Sequence, residues 1–295
     1  MSPSLLPDTE PVETVEVGAK VYLNGFPKSG LHLAALMASQ ITSPWIVGFD
    51  QDGKELPKPK KLFWCGNFIP AWSTNWRPFD DLRIQVENQP EGSFMQGHLG
   101  YTPEIERMFY ENGQAFGFVY RDLRDVAVSA TYHIEDDRVN DDNTDMMVHP
   151  GKAEFMDLPS HEDRLMAVIC GLNEWPGLFD RWELYAPWLD IPWVFPIRYE
   201  WMIQDPRWQA DLFIRYALGR AMDNHELEYV YPEDVHCALL DKTVEMMGDP
   251  SNSNTFRKGG HGGWRDEFTP EIKEAFKERA GDWLILLDYE KGHDW

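Results

Sequence analysis

Apolar and polar positions along the chain change period several times. Val21, Tyr22 and Leu23 form a short apolar run that is typical of a buried strand. The apolar residues that follow recur at helical spacing: Leu33, Leu36, Met37 and Ile41. Short runs at 93–96, 116–120 and 193–197 have the same strand-like character, and a helical pattern follows each of them. This alternation predicts an α/β fold with a central, mostly parallel sheet.

Three predicted helices begin with a capping residue followed by proline. The pairs are Thr102 with Pro103, Asp205 with Pro206, and Thr269 with Pro270. A side-chain oxygen at the N-cap accepts from a backbone N–H of the first turn, and proline suits the first helical position. We predict that the second of these helices ends before Gly219, because glycine commonly follows a helix C-terminus.

Polar side chains follow four of the predicted strands, either directly or within a few residues. They are Lys28, His98, Arg121 and Tyr199. In open parallel sheets, ligands bind beyond the carboxyl ends of the strands. We therefore expect these four side chains to lie in one crevice.

Residues 24–30 join the first strand to the first helix and contain two glycines and Lys28. The N–H groups and the dipole of a helix N-terminus favour an anion, and the lysine adds a positive charge. Turns of this kind are also common in α/β proteins without such a role. The loop is not a Walker A motif, because Lys28 precedes Gly30 and that glycine is followed by Leu31, where the motif requires lysine and then serine or threonine. It therefore lacks the hydroxyl that would bind magnesium.

Composition excludes some function classes. The 295 residues carry a formal net charge of −23, which disfavours nucleic acid and anionic membrane as partners. We predict a flexible segment over 1–15 and a single domain over 16–295. The three separated cysteines indicate neither a disulfide framework nor a cysteine-rich zinc site. No signal peptide pattern and no membrane-spanning run is found, so we expect a soluble, cytoplasmic protein.

Two segments show little periodicity. Residues 43–92 are rich in tryptophan, proline and charge, and residues 135–145 are strongly acidic. The first segment either packs its aromatic side chains on the core or lines a substrate cavity with them. The second is either a solvated loop or a lid over the pocket.

Arg121 is a candidate for binding a second phosphate-like group, because its planar guanidinium presents several donors. Ser129, two helical turns later, could add a hydroxyl donor. Arg257 and Lys258 lie in a glycine-rich loop that could close over the same group. Two alternatives stay open: Arg121 pairs with Asp122 or Asp125, and the loop is a mobile surface segment.

His98 is the best candidate for a general base among nine histidines, because imidazole titrates near neutral pH and His98 ends a strand beside a glycine. A purely structural histidine is the alternative. No other histidine has ligand spacing, so we predict no metal site.

Five ordered segments resemble those of the PAPS-dependent sulfotransferases, where PAPS is 3′-phosphoadenosine 5′-phosphosulfate. FPKSG at 26–30 is similar to the family's YPKSGTTW loop, and QGHLG at 96–100 to its KTHLP segment. FVYRDLRDVAVSATYH at 118–133 resembles the family's 3′-phosphate segment. RYEWMIQDP at 198–206 is similar to YEDLxxDP, and RKGGHGGW at 257–264 to RKGxxGDW.

This resemblance implies a three-layer, P-loop NTPase-like α/β domain with PAPS as donor and no metal. The acceptor would be a hydroxyl of a small molecule or glycan, and the oligomeric state is left open. His98 would be the general base, and Lys28 would stabilise the leaving phosphate. The implied donor-binding residues are Lys28, Ser29, Gly30, Leu31, His32, Arg121, Ser129, Tyr199, Arg257, Lys258 and Gly259. Tyr199 would contact the adenine.

The chain departs from the family pattern at several positions. Leu31 and His32 replace two threonines, Leu33 replaces a tryptophan, Gln96 a lysine and Gly263 an aspartate. A nucleotide-binding relative without catalysis is therefore an alternative. A P-loop kinase is a weaker one, since neither a Walker serine nor a clear magnesium-binding aspartate is present.

Overall fold

The computed structural model describes residues 15–41, 45–47, 79–136, 152–224, 233–248 and 260–295. Several predictions lie outside the described residues. They concern the segment 1–14, most of the aromatic region 43–92, the acidic residues 137–145, and Arg257, Lys258 and Gly259.

Eight strands are present in the described part of the chain. They are β1 Val15–Val17, β2 Lys20–Gly25, β3 Trp45–Val47, β4 Ser93–Gly97, β5 Ala115–Tyr120, β6 Gly171–Leu172, β7 Trp175–Pro176 and β8 Phe195–Arg198.

Twelve α-helices and one 3₁₀ helix, Ala186–Asp190, are found among the same residues. The first six α-helices are α1 Leu31–Ile41, α2 Phe79–Glu87, α3 Pro103–Glu111, α4 Leu123–Glu135, α5 Lys152–Met156 and α6 His161–Cys170. The others are α7 Leu178–Trp182, α8 Tyr199–Gln204, α9 Pro206–Asn224, α10 Glu233–Gly248, α11 Trp264–Glu267 and α12 Pro270–Leu286.

The central sheet has the strand order β4-β2-β5-β8, and every neighbouring pair is parallel. Successive residues of its inner strands enter two different hydrophobic clusters. Tyr22 and Phe118 belong to one cluster, and Leu23 and Val119 belong to the other. Because side chains alternate between the faces of a strand, both faces of the sheet are covered. The predicted three-layer α/β fold with a mostly parallel sheet is confirmed.

The helix starts marked in the sequence are also confirmed. The hydroxyl of Thr102 accepts from the Ile105 N–H at 3.2 Å, and that of Thr269 accepts from the Ile272 N–H at 3.3 Å. Asp205 likewise accepts from the Trp208 N–H at 2.9 Å.

One prediction about a helix end was wrong. Helix α9 continues through Gly219 to Asn224, because its buried residues on both sides of the glycine hold it against the sheet. The helix predicted after the first strand is confirmed as α1, in which Leu33 and Leu36 are only partly buried and smaller side chains such as Ala34 and Ala38 face the core. Small residues let the helix approach the sheet closely, which a count of large apolar residues does not detect.

The strand predicted at 193–197 lies slightly later, at Phe195–Arg198. Trp193 precedes it, and its indole donates to Glu106 at 2.6 Å. The two-stranded pairs β1-β3 and β6-β7 were not predicted. Their strands have two or three residues, which is too short for a period to be recognised.

Candidate active site at the carboxyl edge of the sheet

The four polar residues selected from the sequence follow the four strands of the central sheet. His98 comes after β4, Lys28 after β2, Arg121 after β5 and Tyr199 after β8. Since the strands are parallel, their carboxyl ends meet at one edge. The structure therefore places all four at that edge, in the order of the strands.

Hydrogen bonds of the Ser29 side chain and of the Phe26 backbone hold the loop between β2 and α1 against the sheet. Ser29 Oγ lies 2.5 Å from the Phe26 carbonyl and 2.9 Å from the Val119 carbonyl, so its hydroxyl donates toward the sheet. The Phe26 N–H also donates to the Val119 carbonyl, at 3.1 Å. Lys28 has a φ of 70°, which is the left-handed region that costs a non-glycine residue about 1–2 kcal/mol. Such strain is concentrated at functional sites.

Helix α1 begins directly after this loop. Its first intrahelical bonds run from the N–H groups of Leu33 and Ala34 to the Gly30 carbonyl, at 3.0 and 3.2 Å. The N–H groups of Leu31 and His32 precede these bonds, in the first turn of the helix. The Leu31 side chain is buried and that of His32 is exposed. Leu31 can therefore serve a bound anion only through its backbone.

Gly30, Tyr199 and Arg121 are stacked on one another. Gly30 has a φ of 97°, and a Cβ added there would lie 2.4 Å from Cδ2 of Tyr199. The Arg121 guanidinium lies over the Tyr199 ring, with its central carbon 4.3 Å from the ring centroid. Burial raises the pKa of Tyr199, and the charge of Arg121 opposes that rise. The Tyr199 hydroxyl thus stays protonated at neutral pH and can donate a hydrogen bond.

Gly30→Ala should disturb this stack. We expect a loss of stability on the order of 1–2 kcal/mol from the left-handed backbone alone. Displacement of Tyr199 should also weaken the binding of any phosphorylated ligand at this edge by about tenfold or more, comparable to the loss of one charge-assisted hydrogen bond. Gly219→Ala, in α9, is the matched control, because a Cβ added at Gly219 would have no neighbouring side chain or loop atom within 4 Å. Thermal unfolding and calorimetric titration measure both effects; equal behaviour of the two variants would contradict the prediction.

Arg121 also contacts the loop that precedes α11. One guanidinium nitrogen donates to the Gly260 carbonyl at 3.0 Å and lies 3.8 Å from Asp125. Its Nε is buried and has no hydrogen-bond partner among the described residues. The pairing with Asp125 that the sequence left open is therefore present but long. Arg121 keeps an unused donor, as expected of a residue that binds an additional group.

Ser129 is half-buried on α4, two turns after Arg121. Among the described residues its hydroxyl has no assigned bond, so it is available to a ligand beside the helix.

Asp125 was named from the sequence only as a possible partner of Arg121, and the structure gives it a further contact. Its carboxylate is buried and accepts from the N–H groups of Gly262 at 2.6 Å and Trp264 at 3.1 Å. It therefore holds the glycine-rich loop beside Arg121. Only the spacing of Asp125 from Arg121, one helical turn, could have suggested this contact.

A second layer of charged residues lies beneath the site. Arg124 is buried and donates hydrogen bonds to the carboxylates of Asp122 and Glu290. Its guanidinium carbon lies 4.0 Å from the ring centroid of Trp264. Burial lowers the pKa of Arg124, but the two carboxylates together raise it above the ordinary value. The guanidinium therefore remains charged.

Glu200 connects the ends of β5 and β8 within this layer. One of its oxygens accepts from the Asp122 N–H at 3.0 Å, and the other from the Tyr289 hydroxyl at 2.8 Å. Burial and the negative charge of Glu200 raise the pKa of Tyr289, so this hydroxyl remains a donor. These bonds join segments remote in the chain, and nothing in the local pattern predicts them.

His98 is held against the end of β2. Its Nδ1 lies 2.6 Å from the Gly25 carbonyl, which can only accept, so Nδ1 carries the proton in the neutral ring. The other ring nitrogen, Nε2, is then the basic one. This is the tautomer that a general base requires if the proton is to be taken up at Nε2.

Gln96 lies in β4, two residues before His98. It is buried, and its Oε1 has no hydrogen-bond partner in the part of the chain that the structure describes. A buried amide oxygen without a partner is uncommon in folded proteins and indicates room for an additional donor.

Among the described residues, no group of three or more His, Cys, Asp or Glu side chains is arranged to hold a metal ion. None of the helices described is both long and apolar enough to span a membrane.

A parallel sheet with cationic side chains and a helix N-terminus at its carboxyl edge is the arrangement of α/β proteins that bind phosphorylated ligands. The sulfotransferase domain model matches residues 19–288, and the chain belongs to the sulfotransferase family.

Individual relatives are distant. Human sulfotransferase 1C2 is 24% identical over 201 residues, a match that spans 66% of this chain and 62% of that protein. The chain thus matches less than two thirds of the length of this relative.

Two solved structures share the fold. Mouse sulfotransferase SULT7A1 complexed with PAP has a TM-score of 0.53 at 16% identity, over 90% of this chain and 84% of that one. Retinol dehydratase in complex with androsterone and the inactive cofactor PAP has a TM-score of 0.53 at 15% identity, over 90% and 80% of the two chains. At such low identity, these likenesses establish the fold alone.

Proposed function

We propose that the protein transfers a sulfuryl group from PAPS to a hydroxyl of a small-molecule or glycan acceptor. One observation carries the proposal: His98 Nδ1 is bonded to the Gly25 carbonyl at 2.6 Å, and Gly25 precedes Lys28 by only three residues. The candidate base and the candidate cation for the leaving group are therefore fixed to the same strand end. Family membership favours this reaction over that of a P-loop kinase.

The donor would be held by two sets of groups. Lys28 and the first N–H groups of α1, those of Leu31 and His32, would bind the 5′-phosphate. Arg121 through its unused Nε, and Ser129 through its hydroxyl, would bind the 3′-phosphate. The buried Ser29 hydroxyl points at backbone carbonyls, so its proposed part is to shape the loop together with Gly30.

Three further residues belong to the proposed 3′-phosphate set by the family resemblance. Arg257, Lys258 and Gly259 directly precede Gly260, whose carbonyl accepts from Arg121. Tyr199 is proposed to contact the adenine, since its ring lies between Gly30 and Arg121.

When bound, the donor supplies an activated sulfuryl group whose bond to a phosphate oxygen breaks during transfer. His98 would take the acceptor proton at Nε2 while the acceptor oxygen bonds to sulfur. The Gly25 carbonyl would stabilise the imidazolium that results, because it accepts from Nδ1 in both protonation states. Lys28 would stabilise the negative charge that develops on the leaving phosphate.

The Gln96 side chain and the net charge of the chain both indicate which class of acceptor suits the site. The orphan oxygen of Gln96 suits a hydrogen-bond donor of the bound substrate. The net charge of −23 favours a neutral or cationic acceptor over a highly sulfated polymer. We also propose a single domain over 16–295 and a cytoplasmic location, on the basis of composition.

The test is nucleotide binding without magnesium. We expect adenosine 3′,5′-bisphosphate to raise the melting temperature by several degrees, since a ligand at 100 times its Kd stabilises by about 2.7 kcal/mol. AMP, which lacks the 3′-phosphate, should shift it less, and Arg121→Ala should abolish that difference. No shift with millimolar bisphosphate would overturn the proposal. Binding without release of the desulfated donor, across a broad acceptor panel, would indicate a relative without catalysis.

A further inference from the structure

We infer that Asn24 is a positioning residue for His98; this inference rests on the function proposed above. Asn24 lies at the end of β2 and is completely buried. Its Nδ2 donates to the Leu99 carbonyl at 2.9 Å, and its Oδ1 accepts from the Leu99 N–H at 2.7 Å. One side chain thus satisfies both backbone groups of the residue that follows His98.

These bonds complete a closed arrangement between two strand ends. Asn24 and Gly25 are adjacent on β2, and His98 and Leu99 are adjacent after β4. Asn24 holds the backbone of Leu99, while the Gly25 carbonyl accepts from the His98 ring at 2.6 Å. The Leu99 carbonyl also accepts from the Trp188 indole at 2.8 Å. The backbone and the ring of the base are therefore fixed separately.

The position of Asn24 explains why an amide is needed there. The β2-β4 pairing ends where Asn24 faces Gly97, so Leu99 lies beyond the ladder. A carboxamide can present an N–H donor and a C=O acceptor side by side, as a peptide group does, and Asn24 thereby extends the pairing of β2 with β4 by one step. Without it, the buried N–H of Leu99 would have no partner, which costs about 1–3 kcal/mol and favours a shift of the segment.

A shift of this segment would act on the chemistry through the histidine tautomer. The bond from Nδ1 to Gly25 requires the His98 backbone at its present distance from β2. If that bond is lost, the proton can reside on Nε2, and the ring then presents no base toward the acceptor. Asn24 would therefore affect proton transfer more than nucleotide binding.

Gln89 provides a matched control at the opposite end of the same two strands. It is also a buried amide, and its Nε2 donates to the carbonyls of Val21 at 3.0 Å and Ser93 at 3.1 Å. Gln89→Ala removes a comparable clamp between β2 and β4, far from His98. The comparison separates loss of stability from loss of positioning.

The kinetic test compares Asn24→Ala with Gln89→Ala. We expect Asn24→Ala to lower kcat by about 10- to 100-fold, because small misplacements of a reacting group have effects of this size. Its affinity for adenosine 3′,5′-bisphosphate should stay within about twofold of wild type, and Gln89→Ala should change kcat by no more than about twofold. Equal kcat losses in the two variants, or an unchanged kcat in Asn24→Ala, would overturn the inference.

A spectroscopic test separates this inference from the proposed function. The ¹⁵N chemical shifts of the imidazole report which ring nitrogen carries the proton, and His98→Gln identifies the resonances. Wild type should show the proton on Nδ1 of His98, whereas Asn24→Ala should show a mixture and Gln89→Ala the wild-type pattern. A wild type without turnover would refute the transferase function, yet the tautomer would still decide the role of Asn24.

If Asn24→Ala does not fold, Asn24→Leu, which nearly conserves the side-chain volume, replaces it. An unchanged tautomer in the folded variant would overturn the inference.

Discussion

His98→Ala should lower turnover by about 10²- to 10⁴-fold, the contribution typical of a general base. The reason is geometric: the bond from Nδ1 to the Gly25 carbonyl at 2.6 Å leaves Nε2 as the nitrogen that would take up the proton. Affinity for adenosine 3′,5′-bisphosphate should change little, because Lys28 and Arg121 follow other strands than His98 does. Single-turnover kinetics with radiolabelled donor, together with calorimetric titration of the bisphosphate, measure the two quantities.

A second substitution separates the base from the structural bond. His98→Asn places an amide nitrogen near the position of Nδ1, so it can still donate to the Gly25 carbonyl but cannot take up a proton. It should match the stability of wild type and the low turnover of the alanine variant. His293→Ala, at an exposed histidine paired with Asp282, is the control that should remain active. Turnover near the wild-type level in His98→Asn would remove His98 from the mechanism and leave it a structural residue.

The sequence predicted the inner strands of the sheet well because most of their residues are apolar and pack into hydrophobic clusters on both faces. Runs such as residues 116–120 have no polar positions, as expected of strands covered on both sides, and they were found within a residue or two. Parallel strands in turn imply one carboxyl edge, so Lys28, His98, Arg121 and Tyr199 could be selected together. The end of α9 could not be predicted, because packing of residues 217–222 against the core outweighs the roughly 1 kcal/mol that a glycine costs in a helix.

The supporting residues of the site escaped prediction for a different reason. Asn24, Asp125 and Glu200 bond groups that are far away in sequence, and most of those groups belong to the backbone. Backbone groups carry no sequence signal, so such contacts appear only once the fold is known. Asn24 had one visible sign, a polar residue directly after the apolar run of residues 21–23. Asp125 was named only as a possible partner of Arg121, one helical turn away.

Loop strain and function are linked at Lys28. This residue adopts a φ of 70°, where most non-glycine residues pay a steric cost, whereas a glycine there would not. The chain nevertheless carries a lysine in this turn, which is proposed to bind the 5′-phosphate. Because strain at one position persists only when the surroundings or the function require it, Lys28 should contribute to activity at the expense of stability.

Lys28→Ala should lower turnover by about 10²- to 10³-fold, as does removal of one group that stabilises developing negative charge. Alanine also has a Cβ, so the backbone strain is retained and the change reports on the ammonium group alone. Lys28→Gly should be equally slow but more stable than Lys28→Ala by about 1 kcal/mol, because it relieves the left-handed conformation. Steady-state kinetics and thermal unfolding of the two variants measure these effects.

Lys20→Ala, at the opposite end of β2, is the control that should keep wild-type turnover. If Lys28→Gly gained stability and stayed as active as wild type, Lys28 would be only a strained turn residue, and the leaving phosphate would need a different cation.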